Sequence, residues 1–255
     1  MHMMDEERNN LLLNAMKNDM YETKLFTKVN FFNEVIKKYS SQKIGHIIHN
    51  ELKSNGLEFT VSNLVTPNIS ENSYYYVSLI DILFTIMQNY RLLFQIRTLV
   101  LFPPDFGLYH EAIDISEKRF IQLQYSNHTL VLNSIFDSLL ILVNRTLRLG
   151  ISDRDVRMNS LKNNYWVKKY EISEIIGQIS KNINEIHKKS NLYRHLGELE
   201  DVGKFLEDNE KINKNAIYRK LQKNEKLMFD SIIKITDSLL IVFRKWDSVI
   251  EKMTK

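Results

Sequence analysis

The sequence predicts an all-α protein, a bundle of long antiparallel helices preceded by an N-terminal helical extension. Three observations predict it. Apolar residues recur at three- and four-residue steps over long stretches, the repeat of a helix with one buried face. Seven Gly and three Pro are few for 255 residues, which fits long helices joined by short connections. The prolines and most glycines stand between the periodic stretches.

Residues 1–70 form the extension. Leu12, Met16 and Met20, then Leu25, Val29, Phe32, Val35 and Ile36, keep helical spacing. Asn55-Gly56 signals a turn, Leu57 to Val61 alternates like a short extended piece, and Val65 to Asn72, with Pro67, reads as a loop. Residues 71–255 form the bundle. Ser73 to Phe102 is the first long helix, ended by Pro103-Pro104, because proline has no amide proton to donate. Ile113 to Leu149 is the second, with Gly150 placed to cap it and Ser152 and Asp153 placed to start a short helix. Trp166 to about Lys189 is the third, striped by Ile172, Ile175, Ile176, Ile179, Ile183 and Ile186. Leu196 to Asn215 reads as loop and short helix, and Ala216 to Met253 as the last long helix. Asp137-Ser138-Leu139-Leu140-Ile141 recurs as Asp237-Ser238-Leu239-Leu240-Ile241, which reads as two core helices under similar burial demands.

Composition bounds the function. There is no Cys, so disulfides and thiolate metal sites are excluded. The net charge of +4 permits an anionic partner without demanding one. Asp5, Glu6 and Glu7 precede Leu11-Leu12-Leu13, unlike a secretory signal. The most apolar stretch is interrupted by Asp81, Gln88, Arg91, Gln95 and Arg97, which opposes membrane insertion. A cytoplasmic protein without membrane contact is expected.

Chemistry-bearing side chains concentrate between Ile186 and Glu198: His187, Lys188, Lys189, Asn191, Arg194 and His195. On a continuous helix His187, Asn191 and His195 stand at i, i+4 and i+8, with Lys188 near the same face. Two turns separate the imidazoles by about 11 Å, too far to share one metal ion but close enough to line one groove. Imidazole transfers protons near neutral pH, and cations stabilise the charge of a phosphate in transfer. That set is sufficient for metal-free cleavage of RNA through its 2′-hydroxyl. The same residue types also gather at helix C-termini, where they complement the helix dipole.

The order of two long helices, an isoleucine-rich helix and a polar segment ending in His resembles the HEPN family (higher eukaryotes and prokaryotes nucleotide-binding). The resemblance spans roughly residues 73–252 and identifies His195 with the family His and Asn191 with its polar companion. It implies RNA or nucleotide binding and a metal-independent ribonuclease in stress or phage defence. It also implies a homodimer whose two motifs form one cleft, with no cofactor. The chain departs from the motif where the family has Arg: Lys188, Lys189 and Ser190 stand there, and Lys lacks the planar fork that grips phosphate oxygens. The alternative is a non-catalytic helical module for dimerisation or docking a protein partner, with a degenerate motif.

Other constellations have plainer readings. His46 and His49 lie one turn apart without an evident third metal ligand. His110, Glu111 and Asp114 read as helix-start residues, and Tyr74, Tyr75 and Tyr76 as an aromatic cluster on the core. Arg145, Arg148, Arg154 and Arg157 form a local basic group diluted by Asp153 and Asp155. Trp166 and Trp246 read as core or interface anchors.

Overall fold

The structure is a computed structural model that describes residues 26–40, 42–58, 60, 64, 68–103, 116–196, 202–206 and 212–253. The fold is an all-α bundle. Its helices are α1 (Asn30–Ser40), α2 (Gln42–Ser54), α3 (Glu71–Leu101), α4 (Glu117–Thr146), α5 (Met158–Lys162), α6 (Tyr165–Lys169), α7 (Ile172–Leu196) and α8 (Lys214–Met253), with a 3₁₀ turn at Gly203–Phe205. No strand occurs among the described residues, so Leu57, Glu58 and Thr60 are not part of one. Leu206 and Ile212 make an isolated antiparallel bridge.

Local chemistry sets the helix starts. The Ser70 hydroxyl accepts from the Ser73 amide at 3.3 Å, so α3 begins before the residue where apolar periodicity alone starts it. Ser116 caps α4 through the Arg119 amide at 3.2 Å, and Asn213 caps α8 through the Ala216 amide at 2.8 Å. Each cap satisfies an amide that has no partner in the first turn.

The end of α4 differs from the sequence expectation. Arg148, rather than Gly150, takes the left-handed position that closes the helix, with φ +51°. The Leu149 amide reaches back to the Asn144 carbonyl at 3.1 Å and the Arg148 amide to the Arg145 carbonyl at 3.2 Å, the Schellman pattern. The arginine tolerates this conformation while its guanidinium lies over Tyr75 at 4.2 Å and Trp246 at 5.3 Å. Gly150, at φ +70°, makes the next turn. A second non-glycine break, Glu171 at φ +59°, divides the expected third helix into α6 and α7. Helix α7 then runs past Lys189 to Leu196.

The chain divides into two compact units, each gathered from separate stretches. The first contains Gln88–Phe136 and Ile179–Ser231. Its apolar centre is Val100, Ile121, Tyr125, Val202, Ile217 and Leu221, with Phe120, Phe205 and Ile212 packed against it.

The second unit contains Leu25–Met87, Asp137–Gln178 and Ile232–Lys255. Here the described part of the extension is core: Phe31, Phe32 and Val35 are buried, and Phe31 meets Phe243 edge to face at 5.7 Å. Ile48, Leu52 and Ile69 form a further buried cluster. Tyr75 and Tyr76 are buried as expected of a core cluster, whereas Tyr74 is exposed. Burial raises the Tyr75 phenol far above its ordinary range. The repeated pentapeptide keeps one register in both copies, with Leu139, Leu140, Leu239 and Leu240 buried and Asp137 and Asp237 exposed. Trp166 is not core; it stands on the surface, 46% exposed.

By length and composition α3 and α4 could each cross a membrane. Of their most apolar windows, 44% and 67% are buried.

Candidate functional site

The isoleucine stripe explains how α7 presents its polar end. Ile172, Ile176, Ile179 and Ile183 are buried, which fixes the rotation of the helix about its axis. The buried face continues to Ser190, which is fully buried with a hydroxyl that has no hydrogen-bond partner in the structure. Lys188 is exposed, and Lys189, Asn191 and Tyr193 are half-buried. The Tyr193 hydroxyl lies 3.4 Å from Asn127 Oδ1, linking this end of α7 to α4 within the first unit. The side chains of His187, Arg194 and His195 lie outside the described residues; their backbone is helical.

Continuity of α7 through Leu196 sets the angular relations. Arg194 and His195 leave the axis about 100° apart. Lys188 and His195, one heptad apart, diverge by only about 20°. Asn191, one turn before His195, lies close to the same line. By helix period, positions 188, 191 and 195 share one register and position 194 lies about 100° around the axis. Positions 194 and 195 fall in the last turn of α7, at the negative end of the helix dipole, which accounts for part of the basic clustering without a ligand.

Of the other sequence candidates, His46 and His49 are both exposed on α2, flanking buried Ile48. Among the described residues no three His, Asp or Glu gather as metal ligands would. The basic group around Gly150 is divided in use. Arg145 bridges Asp81 at 3.1 Å and Asp153 at 2.6 Å, Arg148 is engaged by its two rings, and Arg154 and Arg157 are exposed. Despite burial, its two carboxylate partners raise the Arg145 pKa. His110, Glu111 and Asp114 lie outside the described residues.

One polar constellation is invisible to sequence spacing. Inside the first unit, Glu225 of α8 receives Arg97 of α3 at 3.1 Å and His128 of α4 at 3.0 Å. All three side chains are buried, at 3% exposure or less. The guanidinium also lies over the Tyr218 ring at 4.6 Å. Facing a carboxylate oxygen, His128 Nε2 must carry a proton, while Nδ1 is buried without a hydrogen-bond partner. One carboxylate thus joins three helices. Removing one member of such a buried cluster is destabilising, because it leaves an uncompensated charge in a poorly solvated interior. Its burial makes it a tie between α3, α4 and α8 rather than an open site.

Comparison with protein-family models, curated proteins and solved structures finds no match to this chain.

Proposed function

We propose that this chain is a HEPN-like RNA-binding protein that uses the C-terminal end of α7 and acts in the cytoplasm, in stress or phage defence, as a homodimer. The observation that carries this reading is the unbroken helix through Leu196, which puts Lys188, Asn191 and His195 on one side. In the catalytic form of the proposal the 2′-oxygen bonds to phosphorus as the bond to the 5′-oxygen breaks, and His195 takes the proton of the 2′-hydroxyl and returns it to the departing 5′-oxygen. Lys188, Lys189 and Arg194 are the alternative phosphate-stabilising cations, Asn191 orients the substrate or His195, and His187 lies in the same segment. No metal or cofactor takes part. The mechanism needs an oriented base beside a cation, and a dimer brings a second copy of each.

Binding without cleavage is the second reading. It is favoured by lysine at the positions where the HEPN motif has arginine, since a point charge holds phosphate without the two-pronged geometry that positions it for transfer. Incubation of the purified protein with cellular RNA, with and without a metal chelator, separates the two. Chelator-resistant cleavage that falls at least 100-fold in His195→Ala, roughly the contribution of a general acid or base, supports catalysis. RNA binding with no cleavage, weakened in Lys188→Ala, supports the binding form. Cleavage unchanged in His195→Ala removes the assigned role.

A further inference from the structure

A second surface, in the second unit, has the chemistry of a ligand site and no role in the α7 reading. Tyr165 is 67% exposed and Trp166 46% exposed, side by side on α6. Their rings meet edge to face at 5.3 Å and 74°. Lys169 Nζ lies 4.7 Å from the Trp166 centroid and 5.8 Å from that of Tyr165, and Lys168 is exposed beside them. Lys245 adds a cation over the neighbouring Tyr170 ring at 5.4 Å. The nearby acidic side chains on the same stretch are exposed Glu171 and Glu174.

The segment is held firmly from beneath. Leu161 and Val167 are fully buried, Asn164 Oδ1 accepts from the Trp166 amide at 2.9 Å, and Ser173 Oγ donates to the Lys162 carbonyl at 3.0 Å. Glu171, in its left-handed conformation, fixes the bend into α7. Leaving two aromatic rings this exposed forgoes much of the stabilisation that burying them would give. A rigid segment that displays them beside lysines is organised for a partner with flat faces and negative charge.

We infer that Tyr165 and Trp166, with Lys168 and Lys169, form a stacking platform for an unpaired segment of nucleic acid. Bases stack on exposed aromatic rings whatever their identity, while lysines follow the backbone phosphates. A protein partner fits less well, because lysine is depleted from protein interfaces, whereas the phosphates of a nucleic acid would pair with the Lys168 and Lys169 ammonium groups. The platform goes beyond the α7 proposal and stands or falls separately from it.

The chain has two tryptophans, so the Trp246→Phe protein reports on Trp166 alone. That protein is titrated with an oligoadenylate of about twelve nucleotides, a length within the span of single-strand sites. Inorganic polyphosphate serves as the probe with charge but no bases. The expected result is quenching of Trp166 by the oligonucleotide and none by polyphosphate. Trp166→Ala in the full chain should weaken oligonucleotide binding about tenfold or more, with Trp166→Phe retaining most of it. Lys168→Ala/Lys169→Ala should flatten the salt dependence. Unchanged affinity in a folded Trp166→Ala protein overturns the platform, as does equal quenching by polyphosphate. Loss of concentration-dependent self-association in Trp166→Ala, with nucleic-acid binding unaltered, overturns it in favour of a protein interface.

Discussion

At the residue scale, the Arg97–Glu225–His128 cluster concentrates the most energy in the fewest atoms. Glu225 is the shared acceptor, so Glu225→Ala leaves a guanidinium and a polarised imidazole facing each other in the core. Destabilisation of about 3–5 kcal/mol is expected, read from urea unfolding midpoints. Replacing all three together (Arg97→Met, His128→Leu, Glu225→Leu) removes the charges along with the partnership and should recover most of that loss. Recovery would show that the paired charges contribute little net stability over a well-packed apolar core. The surface pair of Glu34 and Arg244 behaves differently. The carboxylate takes Arg244 Nε at 3.0 and 3.1 Å and a further bond from Nη2. This hydrogen bonding to Arg244, the largest cause, lowers the Glu34 pKa below its unfolded value. The contribution is therefore present above the unfolded carboxylate pKa, near 4.3, and is lost as pH falls through the lower folded value. Glu34→Gln should be slightly less stable than the parent at neutral pH, and the gap should close in acid. Thermal melts of both proteins across that range check the sign. The effect is small because the pair is largely exposed.

At the element scale, the breaks carry more information than the helices. The apolar periodicity made the long helices legible, since residues such as Ile232, Ile235, Leu239 and Val242 are buried where their spacing places them. The breaks at Arg148 and Glu171 were not legible, because neither residue belongs to the types that ordinarily adopt positive φ. Arg148 is held by rings drawn from α3 and α8, a tertiary cause with no local signature. Glu171 follows a Trp-and-Tyr segment that reads as the front of an amphipathic helix, so the bend that exposes Trp166 was hidden too. The α7 site was legible as far as its spacing, whereas the buried carboxylate cluster was not. His128 and Glu225 are 97 positions apart, and no sequence rule pairs them. A left-handed non-glycine residue costs about 1–2 kcal/mol, part of which glycine returns as chain entropy on folding. Glu171→Gly should therefore raise the unfolding free energy by about 0.5–1 kcal/mol, and Glu171→Ala should not. A Glu171→Gly protein that melts below Glu171→Ala would show that the bend is unstrained.

At the scale of the whole molecule, the question is what residues 1–70 contribute. A resemblance confined to roughly residues 73–252 invites treating the earlier segment as an appendage. The second unit shows the described part of it inside the apolar centre: Phe31 and Phe32 are at most 1% exposed, and Phe31 packs on Phe243 of α8. Glu34 and Lys38 add ion pairs to Arg244 and Asp247, the latter also accepting from the Tyr76 hydroxyl at 2.8 Å. Without α1 the apolar side of α8 near Phe243 would face water, and its loss cannot be treated as trimming a tail. A chain shortened to residues 71–255 is expected to aggregate or to bind a hydrophobic dye strongly, with native helical content only partly retained. Phe31→Ala in the full chain tests the same contact gently, at a cost of about 3–5 kcal/mol. A shortened chain that melts cooperatively at the parent temperature would show the bundle to be self-sufficient. The function assays on His195 and Trp166 could then be run on it alone. Failure of the shortened chain to fold, with Phe31→Ala destabilised as stated, would make the first helices part of the bundle that holds both proposed surfaces in shape.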